Sequence, residues 1–96
     1  MTHGSDVQER HITVMVPREP NLSRGVAKTV AEMAQRFQSD IHFSAGAVQI
    51  DAKSRLITFT LLEALKGQVV EVTARGSDSA LAVRDLSRAF DGGNAL

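Results

Sequence analysis

Cysteine, tryptophan and tyrosine are absent from this sequence of 96 residues. Without cysteine the chain has no disulfide framework, no thiolate nucleophile and no cysteine-based zinc site. The only aromatic residues are four phenylalanines, so the core must be built mainly from aliphatic side chains and methionine. An excess of charge is also lacking, because eleven basic residues balance eleven acidic ones. This balance argues against nucleic-acid binding, which needs a positive surplus on one face.

Long apolar runs are missing as well. The N-terminus lacks the apolar stretch of a signal peptide, and no run approaches the ~20 residues that a membrane span needs. We therefore expect a cytoplasmic domain with no membrane insertion. An apolar content of 43% is ordinary for a globular chain. The length allows one domain, predicted at residues 11–91 between flexible tails at 1–10 and 92–96.

The pattern of apolar residues predicts an α+β fold. Apolar residues alternate with polar ones in four predicted strands, the middle two forming a hairpin: residues 11–16, 41–44, 48–51 and 69–74. Apolar residues at helical spacing predict one helix that is capped by Ser23 and runs to Phe37, and another that ends near Phe90. The turn at Gly76-Ser77-Asp78 is predicted to cap that last helix.

The segment from Ala52 to Leu65 is ambiguous. Ile57, Leu61 and Leu65 share one face of a helix, but the alternation in Ile-Thr-Phe-Thr favours a strand. With this segment as a probable helix, the order is strand, helix, strand, strand, helix, strand, helix. Such an order is typical of helices packed on one face of an antiparallel sheet.

The start of the first helix, residues 22–26, is the candidate binding site. Free backbone N–H groups at a helix start, with the Arg24 guanidinium beside them, can bind an anion. The simpler interpretation is that Ser23 only caps the helix and Arg24 points into water. Gly25 lowers helix propensity and would allow a close approach to the backbone. The five candidate residues are Leu22, Ser23, Arg24, Gly25 and Val26.

No other chemistry is indicated by the residue pattern. The sequence has no carboxylate pair suited to general acid–base catalysis, no glycine-rich phosphate loop and no ligands at metal spacing, so no enzyme, metal or cofactor is predicted. His11 and His42 fall on the polar faces of their strands, where a solvated sheet surface is the simplest interpretation.

Several local motifs occur in an order that is typical of one family. They are Lys66-Gly-x-Val-Val-x-Val72, Ala74-x-Gly76, the turn at Ala45-Gly46 and Ala52-Lys53-Ser54. Together they resemble the histidine-containing phosphocarrier protein, HPr, of the bacterial sugar phosphotransferase system. The resemblance implies an open-faced sandwich of order β-α-β-β-α-β-α, with a four-stranded antiparallel sheet and three helices on one face. It also favours a helix in the ambiguous segment.

The resemblance places two modification sites on this chain. In the family, a histidine just before the first helix takes phosphate from Enzyme I, and an arginine and a proline follow two and three residues later. Here Leu22 stands at the histidine position and Gly25 at the proline position, whereas Ser23 and Arg24 match. Leucine has no nucleophilic atom to carry a phosphoryl group. Ser54 matches the family's regulatory phosphorylation site at the start of the second helix.

Three functional hypotheses follow. The first is an HPr-like regulatory protein that lacks the phosphorylatable histidine and binds proteins of a phosphotransferase or carbon-regulation pathway. The second is a working phosphocarrier that uses a displaced histidine, His11 or His42. The third is a small anion-binding or assembly module that is unrelated to sugar transport.

Overall fold

The structure is a computed structural model that describes residues 8–91. Of the predicted tails, residues 1–7 and 92–96 lie outside this range. Four strands and three helices follow one another in the order β-α-β-β-α-β-α. Their bounds are β1 Glu9–Met15, α1 Pro20–Met33, β2 Asp40–Ala45, β3 Val48–Asp51, α2 Arg55–Ala64, β4 Val69–Arg75 and α3 Ser79–Asp91.

The four strands form one antiparallel sheet in the order β1-β4-β2-β3. β1 begins at Glu9, which pairs with Arg75 at the end of β4. The first strand, predicted at residues 11–16, therefore begins two residues earlier, because β4 offers pairing partners as far as Arg75. The hairpin between β2 and β3 turns at Gly46, whose φ of 60° suits glycine.

All three helices pack on one face of the sheet and enclose the core. Alternate residues of the central strands point into it, among them Phe43 in β2 and Val72 in β4, which pair across the two strands. Phe43 is fully buried and meets Phe90 of α3 edge to face, with ring centroids 6.1 Å apart. The α+β sandwich predicted from the periodicity and the resemblance is confirmed.

The first helix starts earlier than predicted. It begins at Pro20, which suits a first helical position because its missing N–H would have no partner there. Glu19, not Ser23, is the N-cap residue. Ser23 lies inside the helix and is fully buried. The helix ends at Met33 and continues as a 3-10 turn, Ala34–Arg36, close to the predicted end at Phe37.

The ambiguous segment is a helix from Arg55 to Ala64. Leu62 and Thr58 lie on its inward face and are fully buried. The Thr58 hydroxyl donates to the carbonyl oxygen of Ala52 at 3.3 Å, so a polar residue is satisfied inside the helix–sheet interface. Burial against α1 and the sheet therefore decides a choice that the local pattern left open.

Asp78 holds two distant segments together. Its carboxylate accepts hydrogen bonds from the backbone N–H groups of Gln38 and Ser39, at 2.8 and 2.9 Å, and from the Ser39 hydroxyl. These bonds, led by the one from the Ser39 hydroxyl, lower the pKa of Asp78 below its ordinary value. The predicted turn at residues 76–78 therefore anchors the entry to β2 as well as preceding α3.

We expect acid to weaken this anchor. Because the folded-state pKa of Asp78 is lowered, its contribution to stability is present above the ordinary pKa of 3.8 and is lost as the pH falls through the lowered value. Asp78→Asn should reduce the free energy of unfolding by about 1–2 kcal/mol at pH 7 and by less at pH 3. Urea titrations at both pH values measure this, and an equal loss at both would contradict it. Asp85→Asn, whose partly exposed carboxylate pairs only with the neighbouring Arg84, is the control.

Candidate functional site

Two backbone N–H groups near the start of α1 are already engaged. The Leu22 N–H donates to Oε1 of Glu19 at 2.7 Å, and the Ser23 N–H donates to the Glu19 carbonyl oxygen at 2.8 Å. A carboxylate of the chain itself thus occupies the position where the sequence predicted an external anion. This is the ordinary way in which a helix start is satisfied.

Two of the five predicted site residues are not available to a partner. Ser23 is buried, and its hydroxyl donates to the Pro20 carbonyl oxygen at 3.0 Å. Val26 belongs to the core, with an exposure of only 3%. The expectation that both residues contribute directly to binding is corrected: they hold the helix in place. Leu22, Arg24 and Gly25 remain on the surface.

Arg24 links α1 to α2. Its Nε donates to Oε2 of Glu63 at 3.0 Å. The side chain of Arg24 is 67% exposed, so the contribution of this ion pair to stability is small. The pair turns the guanidinium toward α2, although most of the Arg24 side chain is exposed to water.

An open cavity of about 390 Å³ lies beside this helix start. Leu22 and Gly25 of α1 form one wall, and Arg88 and Ala89 of α3 form the opposite wall. A Cβ at Gly25 would meet nothing within 4 Å, so the backbone of α1 is exposed at this wall of the cavity. The cavity is therefore a mainly apolar depression with the cation of Arg88 among its lining residues.

Gly25→Ala tests whether the depression is used. Alanine has the higher helix propensity and fits without contact, so we expect the isolated protein to gain about 0.5–1 kcal/mol in unfolding free energy. If a partner approaches the backbone here, the same variant should bind more weakly. Urea denaturation measures the first effect, and a binding titration measures the second. Arg84→Ala, an exposed position of α3 outside the cavity, is the control for binding. Unchanged binding by Gly25→Ala would show that the depression is not used.

Ser54 precedes α2 as its N-cap residue and is exposed. Its side chain makes no capping hydrogen bond. Of the two neighbouring cations, Lys53 is engaged, because its Nζ donates to the carbonyl oxygens of Ala34 and Phe37 at the end of the 3-10 turn. Arg55 is exposed beside the hydroxyl. The Ser54 hydroxyl therefore does not cap α2.

The absence of this cap leads to a prediction. Ser54→Ala should change the unfolding free energy by less than about 0.5 kcal/mol, whereas replacing a serine whose hydroxyl caps the helix would lower it by about 1 kcal/mol. Ser54→Asp should raise it by about 0.5 kcal/mol, because the carboxylate favours the positive end of the helix dipole. Thermal and urea denaturation of both variants measure the difference, and a loss on replacement by aspartate would contradict it.

The two histidines within the described range lie on the other side of the sheet. His11 in β1 and His42 in β2 both pair with Thr73 of β4, whose neighbours Val72 and Ala74 point into the core. His11 Nε2 lies 2.8 Å from Oε2 of Glu9, and its Nδ1 lies 3.2 Å from the Thr73 hydroxyl. The open face of the sheet therefore holds both imidazoles, and the helices cover the opposite face.

Within residues 8–91 the side chains form no group of three or more that could hold a metal ion. None of the helices in that range is long and apolar enough to cross a membrane.

Two residues that shape the site, Glu19 and Glu63, were missed by sequence reasoning. Glu19 stands directly before Pro20, which was a usable signal for a helix start. Glu63 lies 39 positions from Arg24, and no local pattern connects the two.

Comparisons with known proteins agree on one family. Residues 10–91 match the family model PTS-HPr, described as the PTS HPr component phosphorylation site. Three of the similar solved structures are those of HPr-C-His from Thermoanaerobacter tengcongensis, the phosphocarrier protein HPr from Bacillus anthracis, and the histidine-containing phosphocarrier protein of Mycoplasma. Their identities are 22, 25 and 21% and their TM-scores 0.71, 0.70 and 0.69. Each alignment covers 85% of this chain and 91, 96 and 92% of the other. No curated protein sequence matches.

Proposed function

Because this chain belongs to the PTS-HPr family, we propose that it is a member that binds partner proteins without carrying phosphate itself. It would act in the cytoplasm as a non-enzymatic regulator, and its partners would be proteins of a phosphotransferase or carbon-regulation pathway. The binding surface would consist of the exposed residues at the start of α1, together with the Ser54 end of α2.

The observation that carries this proposal is the side chain at position 22. Leu22 stands where the family's phosphorylated histidine is expected, and it is 39% exposed at the edge of the cavity beside α3. A leucine cannot form a bond to phosphorus, but an exposed leucine is suited to burial against a partner. The carboxylate of Glu19, bonded to the Leu22 N–H, would also repel an incoming phosphoryl group.

The geometry weighs against the two alternatives. A displaced phosphocarrier needs an imidazole near Arg24, but His11 and His42 lie on the sheet face opposite the helices. A small anion at the start of α1 would have to compete with Glu19 for the Leu22 N–H and with Glu63 for the Arg24 guanidinium. Contact with a protein surface requires neither an imidazole nor free donors.

Phosphotransfer from Enzyme I tests the proposal. The protein is incubated with Enzyme I and labelled phosphoenolpyruvate, and a family member with the histidine serves as the positive control. We expect no acid-labile label on this chain, and acid-labile label on the chain would overturn the proposal. An NMR titration with unlabelled Enzyme I then tests docking. Shifts at Leu22, Gly25 and the first turn of α2 would support it, and shifts confined to the open sheet face would refute it.

We further propose Ser54 as a phosphorylation site. The hydroxyl is exposed, makes no capping bond and lies at the positive end of a ten-residue helix, where a phosphate is electrostatically favoured. Incubation with a serine kinase that modifies HPr, followed by mass spectrometry, tests this assignment. We expect acid-stable phosphate that is absent from Ser54→Ala, and modification that persists in this variant would exclude the site.

A further inference from the structure

The three residues that precede α2, residues 52–54, are called the Ser54 loop here, and all their backbone polar groups are bonded within the chain. The Lys53 N–H donates to Oδ1 of Asp51 at 2.9 Å, and the Ser54 N–H donates to the Asp51 carbonyl oxygen at 3.1 Å. The Ala52 N–H donates to the carbonyl oxygen of Ile41 at 2.8 Å. The Ser54 carbonyl oxygen accepts the first hydrogen bond of α2. Four of the six backbone groups of the loop are thus held by its immediate surroundings.

Gln35 holds the other two backbone groups. It lies in the 3-10 turn that follows α1. Its Nε2 donates to the carbonyl oxygens of Ala52 and Lys53, at 3.2 and 3.1 Å, and lies 3.4 Å from the carbonyl oxygen of Ala31. Because all three acceptors are carbonyl oxygens, the amide nitrogen of Gln35 is the atom that can face them. A side chain 18 positions before Lys53 therefore fixes the Ser54 loop from the side of α1.

Lys53 makes the same connection in the opposite direction. Its Nζ donates to the carbonyl oxygens of Ala34, at 2.9 Å, and Phe37. These carbonyls lie at the end of the helical segment that begins with α1, where the helix dipole favours a cation. Lys53 is half-buried, whereas Ser54 is exposed. Within residues 8–91, the Ser54 hydroxyl is thus the one polar group of the Ser54 loop that makes no hydrogen bond.

We propose that Gln35 and Lys53 are positioning residues for the phosphorylation of Ser54, an inference that rests on the proposed function of that serine. A kinase has to hold the acceptor hydroxyl in line with the transferred phosphoryl group. A loose acceptor segment loses conformational entropy when the kinase orders it, and this loss weakens binding. The Ser54 loop is already ordered by hydrogen bonds within the chain. Gln35 and Lys53 therefore act on the hydroxyl through the loop, without touching the kinase.

Steady-state phosphorylation by a serine kinase that modifies HPr tests the inference. Lys53→Met and Gln35→Met keep an unbranched side chain but lack the donors. We expect each to raise the KM for the protein about tenfold and to leave kcat within about twofold, because the loop is ordered once the kinase has bound. Lys53→Arg should restore KM to within about threefold, because a guanidinium also favours the end of a helix. Phe90→Leu, which lowers stability through the core, is the control and should leave KM unchanged.

Amide hydrogen exchange of the isolated protein separates positioning from direct contact with the kinase. The N–H groups of Lys53 and Ser54 should exchange at least about tenfold faster in both methionine variants than in the wild type. A higher KM without faster exchange would assign the two side chains to direct contact and overturn the inference. Faster exchange with an unchanged KM would overturn it as well. A wild type that the kinase does not modify at Ser54 would refute the phosphorylation site itself, and with it this inference.

Discussion

Gly76→Ala is expected to lower the free energy of unfolding by about 3 kcal/mol or more. A Cβ at this position would lie 2.8 Å from both the Cα and the Oγ of Ser39. The backbone of Ser39 cannot move aside easily, because its N–H is bonded to Asp78. The φ of 149° at Gly76 also disfavours any other residue. Overpacking and backbone strain therefore add.

Gly46→Ala is the matched control for this prediction. Gly46 also has a positive φ, 60°, but a Cβ there would meet nothing within 4 Å. Its replacement should cost only the backbone strain, about 1 kcal/mol. Urea denaturation of both variants separates the two contributions. If Gly76→Ala proved no more destabilising than Gly46→Ala, the close approach to Ser39 would not be a real constraint on the fold.

Phe43→Ala is expected to lower the free energy of unfolding, measured by urea denaturation, by about 3–5 kcal/mol. Phe43 is the largest fully buried side chain, and it stands at the centre of the sheet between Val72 and Ile50. Removing the ring forfeits its burial and leaves a cavity that the surrounding strands cannot close. In a protein of this size the loss would leave a large fraction of molecules unfolded.

The pairing of Phe43 with Phe90 can be measured separately. The rings meet at an interplanar angle of 75°, which is a favourable edge-to-face geometry. A double-mutant cycle with Phe43→Leu and Phe90→Leu should give a coupling energy of about 0.5–1.5 kcal/mol. The milder leucine variants should keep the protein folded, because leucine still fills much of the space of the ring. A coupling energy near zero would assign the stability of Phe43 to burial alone.

Local patterns were sufficient for most of the fold. Alternation predicted all four strands, and helical spacing predicted the first and last helices, because these signals reflect which face of an element is buried. The second helix was predicted only with help from the family resemblance, since the alternation from Ile57 to Thr60 fits a strand as well. The cap of α1 was predicted at Ser23 because serine is a common N-cap, whereas Glu19 and Pro20 together start the helix.

The sequence by itself determined the four strands, the first and last helices and the absence of a histidine at the start of α1. Only the tertiary structure decided the order in which the strands pair and what surrounds that start. The pairing of Arg24 with Glu63 spans 39 positions, and the bond of Asp78 to Ser39 spans 39 as well. Periodicity records which side of an element is buried but not which distant residue it meets. For this reason the sequence predicted the place of the candidate surface, and the fold decided which of its residues are exposed.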